Sequence, residues 1–125
     1  MIQIIKAIIF DIDDTILDFS RPTVHCYIET AKELNLNSVS KERIFKFYGT
    51  PLKNMIKKFW PKISQKKFEE LSLKKIRKLK IKEIKGAKNI LKEISKDYKI
   101  GLLTSKRKVL MDLNLKQNNL SKSLF

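Results

Sequence analysis

The chain has 125 residues, with 28 Lys and Arg against 13 Asp and Glu, a formal net charge of +15 and a single cysteine, Cys26. Its 42% hydrophobic and 33% charged residues supply enough apolar surface for one compact domain, or a small core with an insertion, and exclude wholesale disorder and low-complexity or collagen-like classes. One cysteine excludes an internal disulfide framework and a cysteine-built zinc site, and fits a reducing, cytoplasmic setting.

The apolar start, Met1 to Phe10, is interrupted by Lys6 and runs into Asp11, so it is too short for a membrane span and lacks a signal peptide's small-residue cleavage site. Within it, Ile4 to Phe10 is a nearly continuous β-branched and aromatic run, the pattern of a strand covered on both faces in a parallel sheet. An acidic turn follows. Ser20 and Pro22 then open a helix whose apolar positions Val24, Tyr27, Ile28, Ala31 and Leu34 recur at helical spacing. Ser40 is the expected N-cap of a second helix, which Gly49 ends. Thr50 as N-cap and Pro51 as first helical residue predict a third helix to about Trp60.

Ser64 caps a fourth helix, from Gln65 to about Leu79, with Phe68, Leu71, Ile76 and Leu79 on one side and lysines on the other. Gly86 begins a fifth, through Ile90, Leu91 and Ile94. Tyr98 to Leu103 is a second strand, and a last helix runs from about Lys108 to Asn118. Two apolar strands separated by helix form a parallel pair joined by a crossover, and in such sheets ligands bind beyond the carboxyl ends of the strands. Both clusters of acidic or small polar residues lie there: Asp11 to Thr15 after the first strand, and Thr104, Ser105 and Lys106 after the second.

Charge is unevenly placed. Residues 1–50 are net −1, whereas residues 51–125 are net +16. A positive surface of this size can bind nucleic acid or an anionic membrane non-specifically. Yet 24 of the 28 basic residues are Lys, spread through helical stretches with almost no interleaved Arg, Gly or aromatic residues, and no nucleic-acid motif is present. A solvated Lys-rich face is the expectation, with neither nucleic acid nor membrane as partner. Against this background four of the 13 acids, Asp11, Asp13, Asp14 and Asp18, fall within eight residues. Clustered carboxylates repel, and are tolerated around a cation or in a solvated turn.

The segment IIFDIDDTILDF, Ile8 to Phe19, resembles the first signature of the haloacid dehalogenase superfamily, an apolar strand followed by Asp-x-Asp-x-Thr. IGLLTSKR, Ile100 to Arg107, is similar to the second signature, an apolar strand ending in Thr or Ser. Gly49-Thr50-Pro51-Leu52 resembles an element of the helical cap in the phosphoglycolate phosphatase-like branch, and Ile84-Lys85-Gly86-Ala87 resembles the return to the core. The resemblance implies an α/β fold, a Rossmann-like parallel-sheet core formed by residues 1–16 and 86–125, and an inserted helical-bundle cap over residues 17–85.

It further implies a Mg²⁺-dependent phosphatase acting on a small phosphorylated metabolite. Asp11 would be the nucleophile that forms an aspartyl-phosphate, and Asp13 the general acid/base. Magnesium would be held by the Asp11 carboxylate and Asp13 through its main-chain carbonyl, and the substrate phosphate by Thr104 and Ser105 with nearby amides. The dehalogenase branch lacks the second Asp, because halide leaves without a proton; Asp13 therefore favours phosphoryl transfer.

Simpler roles compete for each residue. Asp13, Asp14 and Thr15 are also turn or cap formers, and Thr104 with Ser105 is also a strand-to-helix cap. His25 and Cys26 read as packing or surface residues, Phe59 and Trp60 as core, and Lys53, Lys106 and Arg107 as candidate anion contacts among many ordinary surface cations. Asn119 to Phe125 resembles the approach to a third core strand, and the family's third signature, a Lys, and its fourth, acidic residues, have no counterparts here. The expectation is an N-terminal portion of such an enzyme. Its first strand would present an open apolar edge, where a complementary chain or a second copy could pair.

Overall fold

The computed structural model describes residues 3–120 and 122–125, so the first two residues of the apolar start, and Ser121 near its end, lie outside the described residues. The chain is α/β, and divides into two compact units, Met1–Phe19 with Lys80–Phe125, and Ser20–Leu79.

Among the described residues the first unit holds four strands and two helices: β1 (Ala7–Asp11), β2 (Leu17–Asp18), β3 (Lys82–Glu83), α5 (Ala87–Ile94), β4 (Lys99–Leu103) and α6 (Lys108–Gln117), with a 3-10 turn at Lys122–Leu124. β1 and β4 pair in parallel with Ala7 opposite Lys99 and Asp11 opposite Leu103. The expected parallel pair is thus present, and Asp11 forms the last position of its strand. Cover on both faces is not: β1 alternates exposed and half-buried residues, and Ile9 is 69% and Leu103 72% exposed. A two-stranded ribbon has no further strands to shield alternate side chains.

Apolar burial in this unit comes instead from the turn after β1. Ile12, Ile16 and Leu17 are almost fully buried, as are Ile81, Leu91 and Leu115. The amides of Thr15, Ile16 and Leu17 all donate to the Ile12 carbonyl, which winds the acidic segment tightly and turns its isoleucines inward. β2 and β3 then pair antiparallel, Leu17 opposite Glu83 and Asp18 opposite Lys82, and the Ile84 amide donates to the Ile16 carbonyl at 2.8 Å. This ribbon lies inside the span 17–85 expected for the helical insertion, and it groups with the sheet unit, where the Asn118 side chain accepts from the Glu83 amide at 2.8 Å. Gly86 takes a left-handed φ of 87° at the start of α5, a conformation that costs glycine little.

The second unit contains α1 (Ser20–Glu33), α2 (Lys41–Phe47), α3 (Leu52–Phe59) and α4 (Gln65–Arg77). Ser40 and Ser64 cap as expected, their hydroxyls accepting from the Arg43 and Lys67 amides. Thr50 does not cap α3. Its hydroxyl donates backward to the Phe47 carbonyl at 2.6 Å, satisfying the end of α2, and Pro51 stands as the N-cap with no side-chain bond. Val24, Ile44, Met55, Ile56, Phe59, Trp60 and Phe68 form one buried cluster in which Trp60 stacks on Phe68 with ring centroids 5.0 Å apart. The indole N–H is satisfied by the Asn37 carbonyl at 2.9 Å. Among the described residues no helix is long and apolar enough to cross a membrane.

Candidate active site

Because Asp11 is opposite Leu103 in the β1–β4 register, the two strands end side by side, and the loops that follow them open at one end of the sheet. From the first loop come Asp11, Asp13, Asp14 and Thr15; from the second come Thr104, Ser105 and Lys106. Asp11 is exposed, and its Oδ2 accepts from the Thr15 hydroxyl at 3.1 Å. Asp14 has a left-handed φ of 62°, and its Oδ1 accepts from the Phe19 amide. That is the turn-forming role the sequence allowed it. The Thr104 hydroxyl accepts from the Lys106 amide at 3.0 Å, and so shapes its own loop, while Ser105 is exposed.

The tie between the loops is Lys106. Its ammonium lies 2.8 Å from Asp13 Oδ1, donates to Asn114 Oδ1 at 2.8 Å, and sits 3.5 Å from the centroid of the Phe19 ring. The Lys106 side chain is only 2% exposed and that of Asp13 26%. Desolvation raises the Asp13 carboxyl above the usual carboxylate range; the hydrogen bond and charge of Lys106 oppose it, and the neighbouring Asp11 and Asp14 charges reinforce it. Burial likewise lowers the Lys106 ammonium, against the attraction of Asp13. In both groups the loss of water outweighs the mutual attraction.

A family model described as haloacid dehalogenase-like hydrolase matches residues 8–125. The chain belongs to that family. Solved structures agree on the fold of this haloacid dehalogenase-like chain. A haloacid dehalogenase-like family hydrolase from Streptococcus pneumoniae superposes with a TM-score of 0.77 at 24% identity, over 97% of this chain and 59% of that one. A haloacid dehalogenase hydrolase of family IA, variant 3, from Entamoeba histolytica gives 0.75 at 23% identity, over 98% and 58%. A predicted phosphoglycolate phosphatase from Haemophilus somnus gives 0.74 at 15%, over 97% and 60%. The chain spans about three fifths of the length of these structures. No curated protein matches it.

In this haloacid dehalogenase-like chain, then, the structure sets Asp11 and Thr104 at adjacent strand ends, and joins Asp13 to the second loop. Sequence reasoning gave too little weight to Lys106, and passed over Asn114 and Phe19. Lys106 was one lysine among 24, and only its position two residues past Thr104 could have singled it out.

Proposed function

We propose that the chain carries the catalytic end of a Mg²⁺-dependent phosphatase that hydrolyses a small phosphomonoester through an aspartyl-phosphate. The observation that supports this most is the strand register, which brings the Asp11 and Thr104 loops to one end of a parallel pair, with Asp13 beside them. An exposed Asp11 carboxylate is accessible to a substrate. Its Oδ forms the bond to phosphorus as the bond to the leaving oxygen breaks, and the carboxyl of Asp13 gives that oxygen its proton. Water then attacks phosphorus and loses its proton to Asp13, which releases inorganic phosphate and restores Asp11. An Asp13 carboxyl displaced upward by burial suits it to carry that proton. Thr104, Ser105 and the amides of their loop hold the phosphate oxygens.

The donor set fits the metal. Asp11 would offer a carboxylate and Asp13 a main-chain carbonyl, hard oxygen ligands of the kind Mg²⁺ takes; no group of three acidic, His or Cys side chains lies among the described residues, so water and substrate phosphate would have to supply the remaining ligands. When bound, the ion neutralises phosphate charge and lowers the cost of bringing two anions together.

The test is hydrolysis of an aryl phosphate by the purified chain with and without Mg²⁺, beside Asp11→Asn. Turnover that needs Mg²⁺ and falls by at least about 1,000-fold in the variant is expected. A folded chain without turnover overturns the reading. A second reading, in which activity requires a complementary chain or a second copy at the sheet, draws on exposed Ile4, Ile5, Ile9 and Leu103. It requires specific activity to rise with chain concentration; constant specific activity refutes self-association as the requirement.

A further inference from the structure

Most lysines of this chain lie in water, as their chemistry favours; Lys106 does not. A primary ammonium withdrawn from solvent loses several kcal/mol of hydration unless its donors are met. Here the charge is compensated on three sides: by an ion pair with the Asp13 carboxylate, by a hydrogen bond to the Asn114 amide oxygen, and by the π face of Phe19. Asn114 is itself 2% exposed and held by Gln117, to whose Oε1 its amide nitrogen donates at 3.2 Å. The Lys106 amide is fixed in addition by the Thr104 hydroxyl. Both ends of this side chain are therefore anchored, and between them it spans from the loop after β4 to the loop after β1.

We infer that Lys106 is the positioning residue of the reaction: it fixes the rotamer of Asp13 from behind, without touching the substrate. The inference rests on the phosphatase reading above. A carboxylate on a turn has freedom about two side-chain torsions, and an ammonium at 2.8 Å, held in a buried cage, removes most of it. The same contact commits one oxygen of Asp13, Oδ1, to Lys106, and leaves Oδ2 as the oxygen that handles the proton. With its ammonium buried and already engaged by Asp13, Asn114 and Phe19, Lys106 is not free to take a phosphate.

This role predicts a dependence on the leaving group. An alkyl alcohol departs from phosphorus only with a proton, whereas nitrophenolate departs without one, so in the phosphorylation of Asp11, the step that kcat/KM reports, misplacing Asp13 should hurt only the alkyl ester. The later attack of water, which Asp13 also serves, is common to both esters and enters kcat alone. Lys106→Met is expected to lower kcat/KM on an alkyl phosphate by about 100-fold, the usual scale of a general acid, and on nitrophenyl phosphate by less than about 3-fold. In the Asp13→Asn background the same substitution should add almost nothing. Equal losses of kcat/KM on the two esters would overturn the inference, since they would mark a structural or a phosphate-binding lysine.

If the wild-type chain hydrolyses neither ester, the phosphatase reading fails, and the tie is read directly from the lysine side-chain nitrogen signals in NMR. A Lys106 signal moved by Asp13→Asn and unmoved by Asp11→Asn supports the assignment of Lys106 to Asp13. A signal indifferent to Asp13→Asn refutes it. This reading needs no turnover and uses variants that keep the Lys106 side chain.

Discussion

The two units handle apolar surface in opposite ways. In the helical unit Phe59, Trp60 and Phe68 pack ring against ring, and no described large hydrophobic residue there is prominently exposed. All the prominently exposed ones, Ile4, Ile5, Ile9, Ile90, Tyr98, Leu103 and Val109, belong to the sheet unit. Four amphipathic helices can turn their apolar stripes toward one another, so the helical unit closes its own core. A two-stranded parallel pair cannot, because each strand has two faces and each pair two edges. The unit that carries the candidate chemistry is thus also the one whose hydrophobic surface is least covered.

The strongest test of that contrast is a truncation in the closed core. Phe68 is fully buried, stacked on Trp60 at 5.0 Å and tilted against Tyr27 at 6.0 Å. Phe68→Ala should cost about 3–5 kcal/mol, the sum of lost transfer energy and a cavity that stiff neighbours do not refill. Urea unfolding followed by the fluorescence of Trp60, the sole tryptophan, measures it. A loss below about 1 kcal/mol would mean that the aromatic cluster relaxes as freely as a surface, and the contrast would fail.

A smaller effect is expected where the sheet unit does close on itself. Asn118, at the end of α6, donates from Nδ2 to the carbonyls of Ile81 at 2.6 Å and Asn114 at 2.8 Å, and its Oδ1 accepts from the Glu83 amide at 2.8 Å. One side chain therefore stands in for the strand neighbour that β3 lacks. Asn118→Ala should cost about 1–3 kcal/mol, because it leaves the Glu83 amide of β3 and the Ile81 carbonyl just before it unpartnered. Hydrogen exchange at the Glu83 amide is the local readout: faster exchange is expected, and unchanged protection would show that water replaces Asn118 without loss.

Those residues also show where sequence reading stops. The parallel strands were legible, since β-branched runs such as Ile8-Ile9-Phe10 declare themselves, although β1 begins at Ala7 rather than Ile4. Ser40 and Ser64 were legible as caps because a cap is a local event between residues three apart. The two-residue strands β2 and β3 were not. They are too short for any periodicity, and one is pinned by Asn118, 35 residues away from Glu83. Thr50 misled for a related reason: its hydroxyl had two helix ends within reach, and sequence does not say which it serves. At the candidate site, the strand-end placement of Asp11 and Thr104 followed from the pattern. The burial of Lys106 did not, because it depends on Phe19 and Asn114, which meet it only in the folded chain.

The smallest predicted effect bears on the open side of the contrast. Ile9 lies mid-strand in β1 and is 69% exposed, so its side chain is largely in water before unfolding begins. Ile9→Thr keeps the β-branched shape that suits a strand and removes little buried area, so the change in stability should stay within about 0.5 kcal/mol at low chain concentration. If a second copy covers this face, burial of Ile9 becomes part of the interface, and the same substitution should shift elution toward a smaller species as concentration rises. The concentration dependence, rather than the stability change alone, therefore decides whether the uncovered apolar face is a standing property of the chain or one half of a contact. Should Ile9→Thr cost as much as a core truncation even in dilute solution, the face is buried within the single chain, and the two units differ less than their exposure implies.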